Sequence, residues 1–288
     1  MTTQQALSAA VPSSTVPSSG APAVPPVDPA EIGVPVRPAS ADVAEERRRR
    51  QIALVGGYRL LSRFGMDEGV AGHITARDPE LTDHFWTARW GAYFGSVVPD
   101  DLILVDGRGR IVEGVGPLNL ATFAIHAAIH DARPDVVGAV HAHGLYGKTF
   151  SALGLELGAM TQDATAFYED HILYDDYDGV VFAEEEGRRI AAQLGGRKAA
   201  ILANHGHLTV GTTVESAVWW FITMERSMQA ELVARSAGTP RMLDHETALA
   251  TAATVGAEGV GWFQYQSIIP RIIREQPDFA ALCGGSET

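Results

Sequence analysis

The segment PDVVGAVHAHG (residues 134–144) decides the fold of this chain. A proline–aspartate turn is followed by an apolar run rich in valine, which predicts a β-strand. Alternate residues of a strand point to the same face, so His141 and His143 present two imidazoles side by side, with Ala142 on the opposite face. Such a pair suits a divalent metal ion, although two half-buried strand histidines are the competing interpretation.

The composition predicts a protein with a sizeable core and an acidic surface. The 288 residues are 46% hydrophobic and 20% charged. A formal net charge of -13 disfavours nucleic acid and anionic membranes as partners, because both require clustered cations. The basic run EERRRRQ (45–51) lies next to acids and opens an amphipathic segment, so we interpret it as a solvated helix start.

The N-terminal residues 1–40 differ from the rest of the chain. They are rich in Ala, Pro, Ser and Val, and no basic residue precedes Arg37, which argues against a signal peptide. We expect a disordered tail at 1–40 and one α/β domain at 41–288, with a helical extension at its C-terminus. The single Cys283 fits a reducing cytoplasm, and no stretch approaches the roughly 20 apolar residues of a membrane span.

The remaining patterns alternate between helix and strand. Hydrophobic periodicity predicts helices at 42–66, 120–135, 183–196 and 214–238. Strands are expected at 70–80, in a hairpin at 101–114, at 136–144 and on both sides of a turn at 204–206. The aromatic-rich stretch 83–95 is expected to be a loop.

A third histidine makes the pattern more specific. His141, His143 and His205 each adjoin a strand end and a glycine, in the order HAHG…NHG. This ordered set resembles the class II aldolase/adducin family over roughly residues 42–240. The resemblance implies a three-layer α/β/α sandwich with a mixed, largely antiparallel central sheet. It also implies a homotetramer with active sites at subunit interfaces.

By that resemblance, the three histidines are the ligands of one divalent metal ion per subunit, Zn(II) or Fe(II). Three neutral imidazoles leave coordination positions open for water or substrate, as in catalytic rather than structural metal sites. His207 is interpreted as a residue that supports the ligands or the fold. His126 and His130 share one side of their helix, and His126 is either a support for a ligand or an ordinary half-buried histidine.

One departure from the family concerns the general base. The family's aldolases carry a glutamate on the helix before the HxH strand, and that position here holds Thr122. A threonine cannot act as a base near neutral pH, whereas a positioned carboxylate can. Thr122 therefore marks the catalytic position at which proton abstraction beside a carbonyl is expected to be impaired.

A second departure concerns phosphate recognition. Where the aldolases have a Gly-Asn-x-Ser turn, this chain has GHIT (72–75), so His73 and Thr75 are expected at the substrate instead. The second phosphate segment falls in PLNLAT (117–122), which lacks serine. We therefore expect a substrate that is not a sugar phosphate. Arg77 is a candidate to bind a carboxylate through its planar guanidinium, or else an exposed arginine without a ligand.

Two further side chains are candidates for the site. Trp90, in the aromatic stretch 83–95, is expected to contact an apolar or aromatic substrate, although packing in a core or subunit contact is the alternative. Tyr168, in AFYEDH (166–171), is a candidate acid/base group.

These departures lead to three functional hypotheses. A metal centre without the glutamate fits a carbon–carbon lyase that decarboxylates a small, non-phosphorylated aromatic or 2-oxo/2-hydroxy acid. The first alternative is a non-haem Fe(II) oxygenase that decarboxylates such acids oxidatively, as in the family branch of the novobiocin and clorobiocin pathways. The second alternative is a non-catalytic, adducin-like interaction module, which the retention of all three histidines disfavours.

Overall fold

The computed structural model describes residues 30–31, 33–177, 179–180 and 183–284. Most of the expected tail, residues 1–29 and 32, lies outside the described residues. The helices are α1 (Val43–Arg63), α2 (Leu120–Thr122), α3 (Ala128–Ala132), α4 (Leu145–Ser151), α5 (Glu184–Leu194), α6 (Val214–Ala237), α7 (His245–Val255), α8 (Glu258–Glu275) and α9 (Pro277–Leu282). The strands are β1 (Gly72–Arg77), β2 (Phe85–Ala88), β3 (Leu102–Val105), β4 (Ile111–Glu113), β5 (Gly138–Ala142), β6 (His171–Tyr174), β7 (Ala199–Leu202) and β8 (Gly206–Gly211).

The strands form one mixed sheet in the order β4-β3-β2-β1-β5-β8-β7-β6. Every neighbouring pair is antiparallel except β6 and β7, which are parallel. The strand with the HxH motif lies in the middle of the sheet, between β1 and β8. This topology confirms the mixed, largely antiparallel sheet that the sequence led us to expect.

The two faces of the sheet are covered by different helices. Ile74 and Val140 face one core, which contains residues of α1, α6 and α8. Ala139 and Leu208 face a second core, built with the helical segment before β5 and with α5. The architecture is therefore a three-layer α/β/α sandwich, as expected. Because side chains alternate along each strand, His141 lies on the second face.

The segment before β5 is helical but not uniform. Between α2 and α3 the chain forms a π-helix at Phe123–Ala127. Helical conformation ends at Ala132, two residues before Pro134, as proline requires. The expected helix at 120–135 is thus present, and its π-helical turn is a feature that often marks functional sites.

The expectation of a loop at 83–95 is wrong at its start. Residues 85–88 form β2, which pairs with both β1 and β3. Phe85 and Trp86 are buried there, and Trp86 donates a hydrogen bond from Nε1 to Asp78 (2.9 Å). The apolar alternation of FWTA was too short to separate a strand from a loop. Beyond β2, Trp90 and Tyr93 are exposed.

The basic run at the start of α1 is tied into the fold more firmly than a solvated helix start. Asp42 caps the helix by accepting the N–H of Glu45. Arg47 binds the buried carboxylate of Asp78 (2.7 Å), and Arg50 donates to the carbonyl of Arg77 (2.7 Å). These contacts join α1 to the end of β1. No helix within the described residues is long and apolar enough to cross a membrane.

Candidate metal centre and adjoining cleft

Three histidines converge where strand β5 ends and strand β7 turns into β8. One ring nitrogen from each of His141, His143 and His205 lies within 4.8 Å of the others. Their ring centroids are 4.6 to 5.1 Å apart. His141 is buried, whereas His143 and His205 are partly exposed, so the group opens to solvent on one side. We call these three residues the metal triad.

Local backbone geometry explains why distant residues meet here. His141 lies on β5 and His143 directly follows it, while His205 lies in the turn between the antiparallel strands β7 and β8. Asn204 adopts φ 58° in that turn, a left-handed conformation that asparagine tolerates. Gly72 pairs with Ala142, where a Cβ would lie 2.9 Å from the neighbouring backbone. Glycine therefore allows β1 to approach β5 beside the triad.

Hydrogen bonding fixes which nitrogen of His141 is free. The Nδ1 atom of His141 lies 2.9 Å from the carbonyl oxygen of His207. A carbonyl only accepts, so Nδ1 carries the proton and the lone pair of Nε2 is available to a metal ion. His207 thus supports a ligand through its main chain, in agreement with its interpretation from the sequence.

The triad is neutral at physiological pH. Burial and, to a smaller extent, the neighbouring His143 lower the pKa of His205 to about 4. Burial also lowers the pKa of His143 and holds the pKa of His141 well below 6.5. Metal ions bind the neutral imidazole, so no proton has to be displaced near pH 7. The donor set and its protonation state therefore fit a divalent ion with open coordination positions.

A small cleft adjoins the triad and contains three of the predicted site residues. It is lined by His73, Trp90 and Thr122, together with Arg89 and Asn119. The ring of His73 lies 5.2 Å from that of His141, which places the cleft beside the triad. The structure thus brings together the histidine, the tryptophan and the threonine that the sequence had assigned to substrate binding and to the altered catalytic position.

Three other histidines extend across the same face of the sheet away from the triad. We call His73, His126 and His130 the histidine row. The rings of His73 and His126 are 4.3 Å apart. The Thr75 hydroxyl lies 2.9 Å from both His126 Nδ1 and His130 Nε2, so it joins the last two rings. Thr75 is fully buried and does not line the cleft, so the expectation that it lies at the substrate is not met within one chain. All three are buried, and burial lowers the pKa of each, for His130 to about 3.

Arg77 and Tyr168 lie away from the triad. The Arg77 guanidinium donates to main-chain carbonyls of Thr82, His130, Arg133 and Val136, so its fork holds loops together rather than facing the cleft. The Tyr168 hydroxyl is hydrogen-bonded to His245 (2.9 Å). Tyr168 precedes the start of β6, whereas His205 follows the end of the parallel strand β7, so the two residues lie at opposite ends of this strand pair. Within one chain, the structure does not bring either residue to the metal triad.

Sequence reasoning missed three residues near the triad. The ammonium of Lys148 lies 2.9 Å from Glu68, and both side chains are partly exposed. Both charges act on His143, whose pKa Lys148 lowers and Glu68 raises. The ring of Tyr177 is 6.3 Å from that of His205. The only signal for Lys148 was its rarity, since the chain contains two lysines among 22 basic residues.

Comparisons with known proteins agree with this geometry. Residues 52–232 match the model of the class II aldolase and adducin N-terminal domain. Decarboxylase NovR of Streptomyces niveus is 42% identical over 83% of this chain and 89% of its own length. The 4-hydroxy-3-prenylphenylpyruvate oxygenase/4-hydroxy-3-prenylbenzoate synthase of Streptomyces roseochromogenus subsp. oscitans is also 42% identical, over 83% of this chain and 87% of its own.

A solved structure gives the same result for the fold. L-fuculose 1-phosphate aldolase from Glaciozyma antarctica PI12 superimposes with a TM-score of 0.79 at 41% identity, covering 84% of this chain and 95% of that one. These relatives are named as enzymes, and the present chain is likewise an enzyme.

Proposed function

Since this chain belongs to the class II aldolase and adducin family, we propose that it is a metal-dependent carbon–carbon lyase that decarboxylates a small, non-phosphorylated aromatic 2-oxo or 2-hydroxy acid. The observation that carries the proposal is the position of the triad beside a cleft that contains Trp90 and, at the place of a catalytic carboxylate, Thr122. The name of the relative NovR supports decarboxylation.

The triad is proposed to hold one divalent ion, Zn(II) or Fe(II). Bound there, such an ion would supply a Lewis acid that stabilises negative charge developing on the substrate. The role of the chain's own histidines is to offer three neutral donors. Hydrogen bonding of His141 to the His207 carbonyl keeps the first donor in the correct tautomer.

The cleft itself has a volume of about 10 Å³, room for about one water molecule, so Trp90 at its exposed side is proposed to position the aromatic part of the substrate. Trp90 is 48% exposed, which leaves its ring surface free to contact an aryl group. Thr122 is buried and uncharged, so the cleft offers no carboxylate at this position to remove a proton from carbon. Loss of CO₂ needs no such base, because the electron pair of the breaking carbon–carbon bond stays on the substrate carbon, which then takes up one proton from water.

Lys148 is proposed to bind the carboxylate of the substrate, in place of Arg77. The Lys148 side chain is 37% exposed and its charge acts on His143, whereas the Arg77 guanidinium is hydrogen-bonded to main-chain carbonyls. In the free enzyme, the Lys148 ammonium is paired with Glu68 (2.9 Å). An exposed ion pair of this kind is weak, so the carboxylate of a bound substrate would be able to compete with Glu68 for the lysine.

The second candidate function is the Fe(II)-dependent oxidative decarboxylation of an aryl 2-oxo or 2-hydroxy acid in secondary metabolism. It is favoured by the 42% identity to the relative named as a prenylphenylpyruvate oxygenase and prenylbenzoate synthase. An aryl 2-hydroxy acid and O₂ would give the aryl carboxylate, CO₂ and water, which balances atoms and charge. Only a redox-active metal serves this reaction, so zinc excludes it.

The chain is further proposed to act as a cytoplasmic homotetramer with active sites at subunit interfaces. Exposed apolar side chains lie near the cleft and the triad, and they include Val70, Tyr93, Leu120 and Leu145. A surface with this many apolar groups near an open site supports coverage by a second copy. Tyr168, which lies apart from the triad within one chain, remains a candidate acid/base group for the site of a neighbouring subunit.

The decisive experiment combines metal analysis with a substrate panel. Protein purified without oxygen should contain about one zinc or iron per chain. It should then release CO₂ from phenylpyruvate, 4-hydroxyphenylpyruvate or mandelate, while L-fuculose 1-phosphate remains intact. Iron with O₂ consumption would select the oxidative reaction. Cleavage of the sugar phosphate, or the lack of any bound divalent metal, would contradict the proposal.

The carboxylate contact has its own test. Replacing Lys148 by Met should raise KM for the acid about tenfold or more, as loss of a charge-assisted contact of roughly 1.5 kcal/mol predicts. The Ki of the methyl ester of the same acid, measured as a competitive inhibitor, should not change. Arg271→Met, which breaks an exposed ion pair on α8, is the matched control. Equal changes in the KM of the acid and the Ki of the ester would contradict the assignment.

A further inference from the structure

Glu225 is a buried carboxylate that does not line the cleft. It lies on α6, is 3% exposed, and is directed towards the chain that follows the HxH motif. Burying a carboxylate is costly unless strong hydrogen bonds compensate for the lost hydration. The contacts of Glu225 therefore indicate what the fold uses it for.

Both carboxylate oxygens of Glu225 bind the start of α4. Oε1 accepts the N–H of Tyr146 (2.8 Å), and Oε2 accepts the N–H of Gly147 (2.7 Å). These amides are in the first turn of the helix that begins two residues after His143. Hydrogen bonds from N–H groups to an ionised acceptor are about twice as strong as neutral ones. Glu225 thus fixes the backbone next to a triad residue.

Two glycines allow this close approach. A Cβ at Gly144 would lie 2.6 Å from the Glu225 carboxylate, and a Cβ at Gly147 would lie 2.8 Å from its Oε2. Both distances are shorter than side-chain contacts permit. The two glycines of HAHGLYG are therefore the positions at which the loop passes closest to the Glu225 carboxylate, and a larger residue at either one would clash with it.

Glu225 also contacts the second strand that supports the triad. Its Oε2 lies 3.8 Å from Nδ1 of His207, whose ring stacks on Phe221 at 3.9 Å and donates from Nε2 to the Phe221 carbonyl (3.2 Å). The main-chain carbonyl of His207 accepts the Nδ1 proton of His141. One carboxylate therefore binds the loop of His143 and lies beside the ring of the residue that orients His141.

We propose that Glu225 is a positioning residue that holds His143 and His141 in the geometry required to bind the metal ion. This inference rests on the proposed metal-dependent function. Residues that orient metal ligands through hydrogen bonds typically change metal affinity about 10- to 100-fold when they are replaced. Without the carboxylate, the amides of Tyr146 and Gly147 lose their acceptors, and the loop of His143 is free to shift away from His141.

Helix α6 offers a matched control. Glu231 is 1% exposed and accepts the N–H of Gly158 (2.9 Å), so it too is a buried carboxylate that binds a loop amide. It also pairs with Arg235 (2.6 Å). Its loop carries no residue of the triad or the cleft. Glu231→Gln should therefore lower stability as a buried structural carboxylate does, without changing metal affinity.

The test compares Zn²⁺ dissociation constants of the apo-protein, Glu225→Gln and Glu231→Gln in competition with a chromogenic chelator. We expect Kd to rise about 10- to 100-fold in Glu225→Gln and to stay within about twofold in Glu231→Gln. Equal Kd values for the parent and Glu225→Gln, or equal rises in both variants, would overturn the inference. A parent protein that binds no Zn²⁺ or Fe²⁺ would refute the proposed function itself.

A second measurement needs no variant. Coupling between two sites is reciprocal, so metal binding must strengthen the Glu225 contact if that contact strengthens metal binding. Adding Zn²⁺ to the parent protein should slow amide hydrogen exchange at Tyr146 and Gly147 more than at Gly158, the amide bound by Glu231. Equal slowing at the three amides would overturn the inference even if Glu225→Gln fails to fold.

Discussion

The metal triad and the histidine row are two groups of three histidines on the same face of the sheet, and they differ in what their nitrogens face. In the row, His126 and His130 share the Thr75 hydroxyl, and all three rings are enclosed. In the triad, nitrogens from three chain positions converge, and two of the rings reach solvent. Burial lowers the pKa in both groups, so neutrality alone does not identify a ligand. A metal ligand is identified instead by a ring nitrogen that converges with others on one point and is accessible to solvent.

The largest effect is expected when the triad is broken. His143→Ala should abolish metal retention and lower kcat by more than about 1000-fold, because the remaining two imidazoles cannot hold the ion in a catalytic site. Elemental analysis and turnover measure this, and circular dichroism should show an intact fold. His84→Ala removes a histidine outside both groups and serves as the control. If His143→Ala retained its metal, the assignment of the triad, rather than the row, as the metal site would be wrong.

The pH dependence of stability should reveal both groups together. The pKa of His205 is lowered to about 4 and that of His130 to about 3 in the folded protein, whereas unfolded histidines titrate near 6.5. Below pH 6.5 the unfolded state therefore binds more protons, and stability falls as pH drops towards 4. Urea unfolding of the apo-protein should show this loss.

Zinc should separate the two contributions to that loss. Bound metal shields the triad from protonation, whereas the row titrates as before, so the zinc-loaded protein should lose less stability over the same pH range. Apo-protein stability that stays constant between pH 6.5 and 4.5 would contradict the burial of neutral histidines in both groups.

Disrupting the row should affect stability and spare the metal. Thr75→Val keeps the shape of the side chain but removes the hydroxyl that His126 and His130 share, at a cost of about 1–3 kcal/mol in the free energy of unfolding. Metal Kd should change less than twofold. Thr209→Val, which loses a hydroxyl bond to the Ala217 carbonyl, is the control. A large loss of metal affinity in Thr75→Val, but not in Thr209→Val, would show that metal binding depends on the histidine row.

The smallest effect is expected at Thr122, which borders the cleft beside both groups. A general base contributes about 100- to 10,000-fold to the rate, whereas Thr122→Ala should lower kcat/KM less than about tenfold. The measurement is steady-state turnover of the best acid in the substrate panel. Complete inactivity of a folded Thr122→Ala protein would show that this residue takes part in the chemistry.

Much of the fold followed from short patterns. The apolar run ending in HxH, the Pro134 stop and the hairpin at 101–114 predicted real elements, because hydrophobic periodicity and turn residues act locally. The pattern failed at 85–88, where a four-residue strand is paired on both sides. Its stability comes from neighbours in the sheet, which a local reading of FWTA does not contain.

For the site, the sequence identified which side chains have suitable chemistry, but the fold decided which groups each of them contacts. His73, Thr122 and Trp90 do line one cleft. Arg77 was assigned to a substrate carboxylate, but the backbone carbonyls around it are supplied by segments 5 to 59 residues away. Glu225 is 79 residues from Tyr146, and no local pattern in α6 distinguishes it from Glu231.

By itself, the sequence determined the donor types, their neutral imidazole chemistry and the strand and turn that present them, because these properties depend on a residue and its near neighbours. Only the tertiary structure decided which histidines converge, which are enclosed in a hydrogen-bonded row, and which carboxylate supports the loop after His143. Distances between residues far apart in the chain are set by sheet order and helix packing. Those are properties of the whole domain.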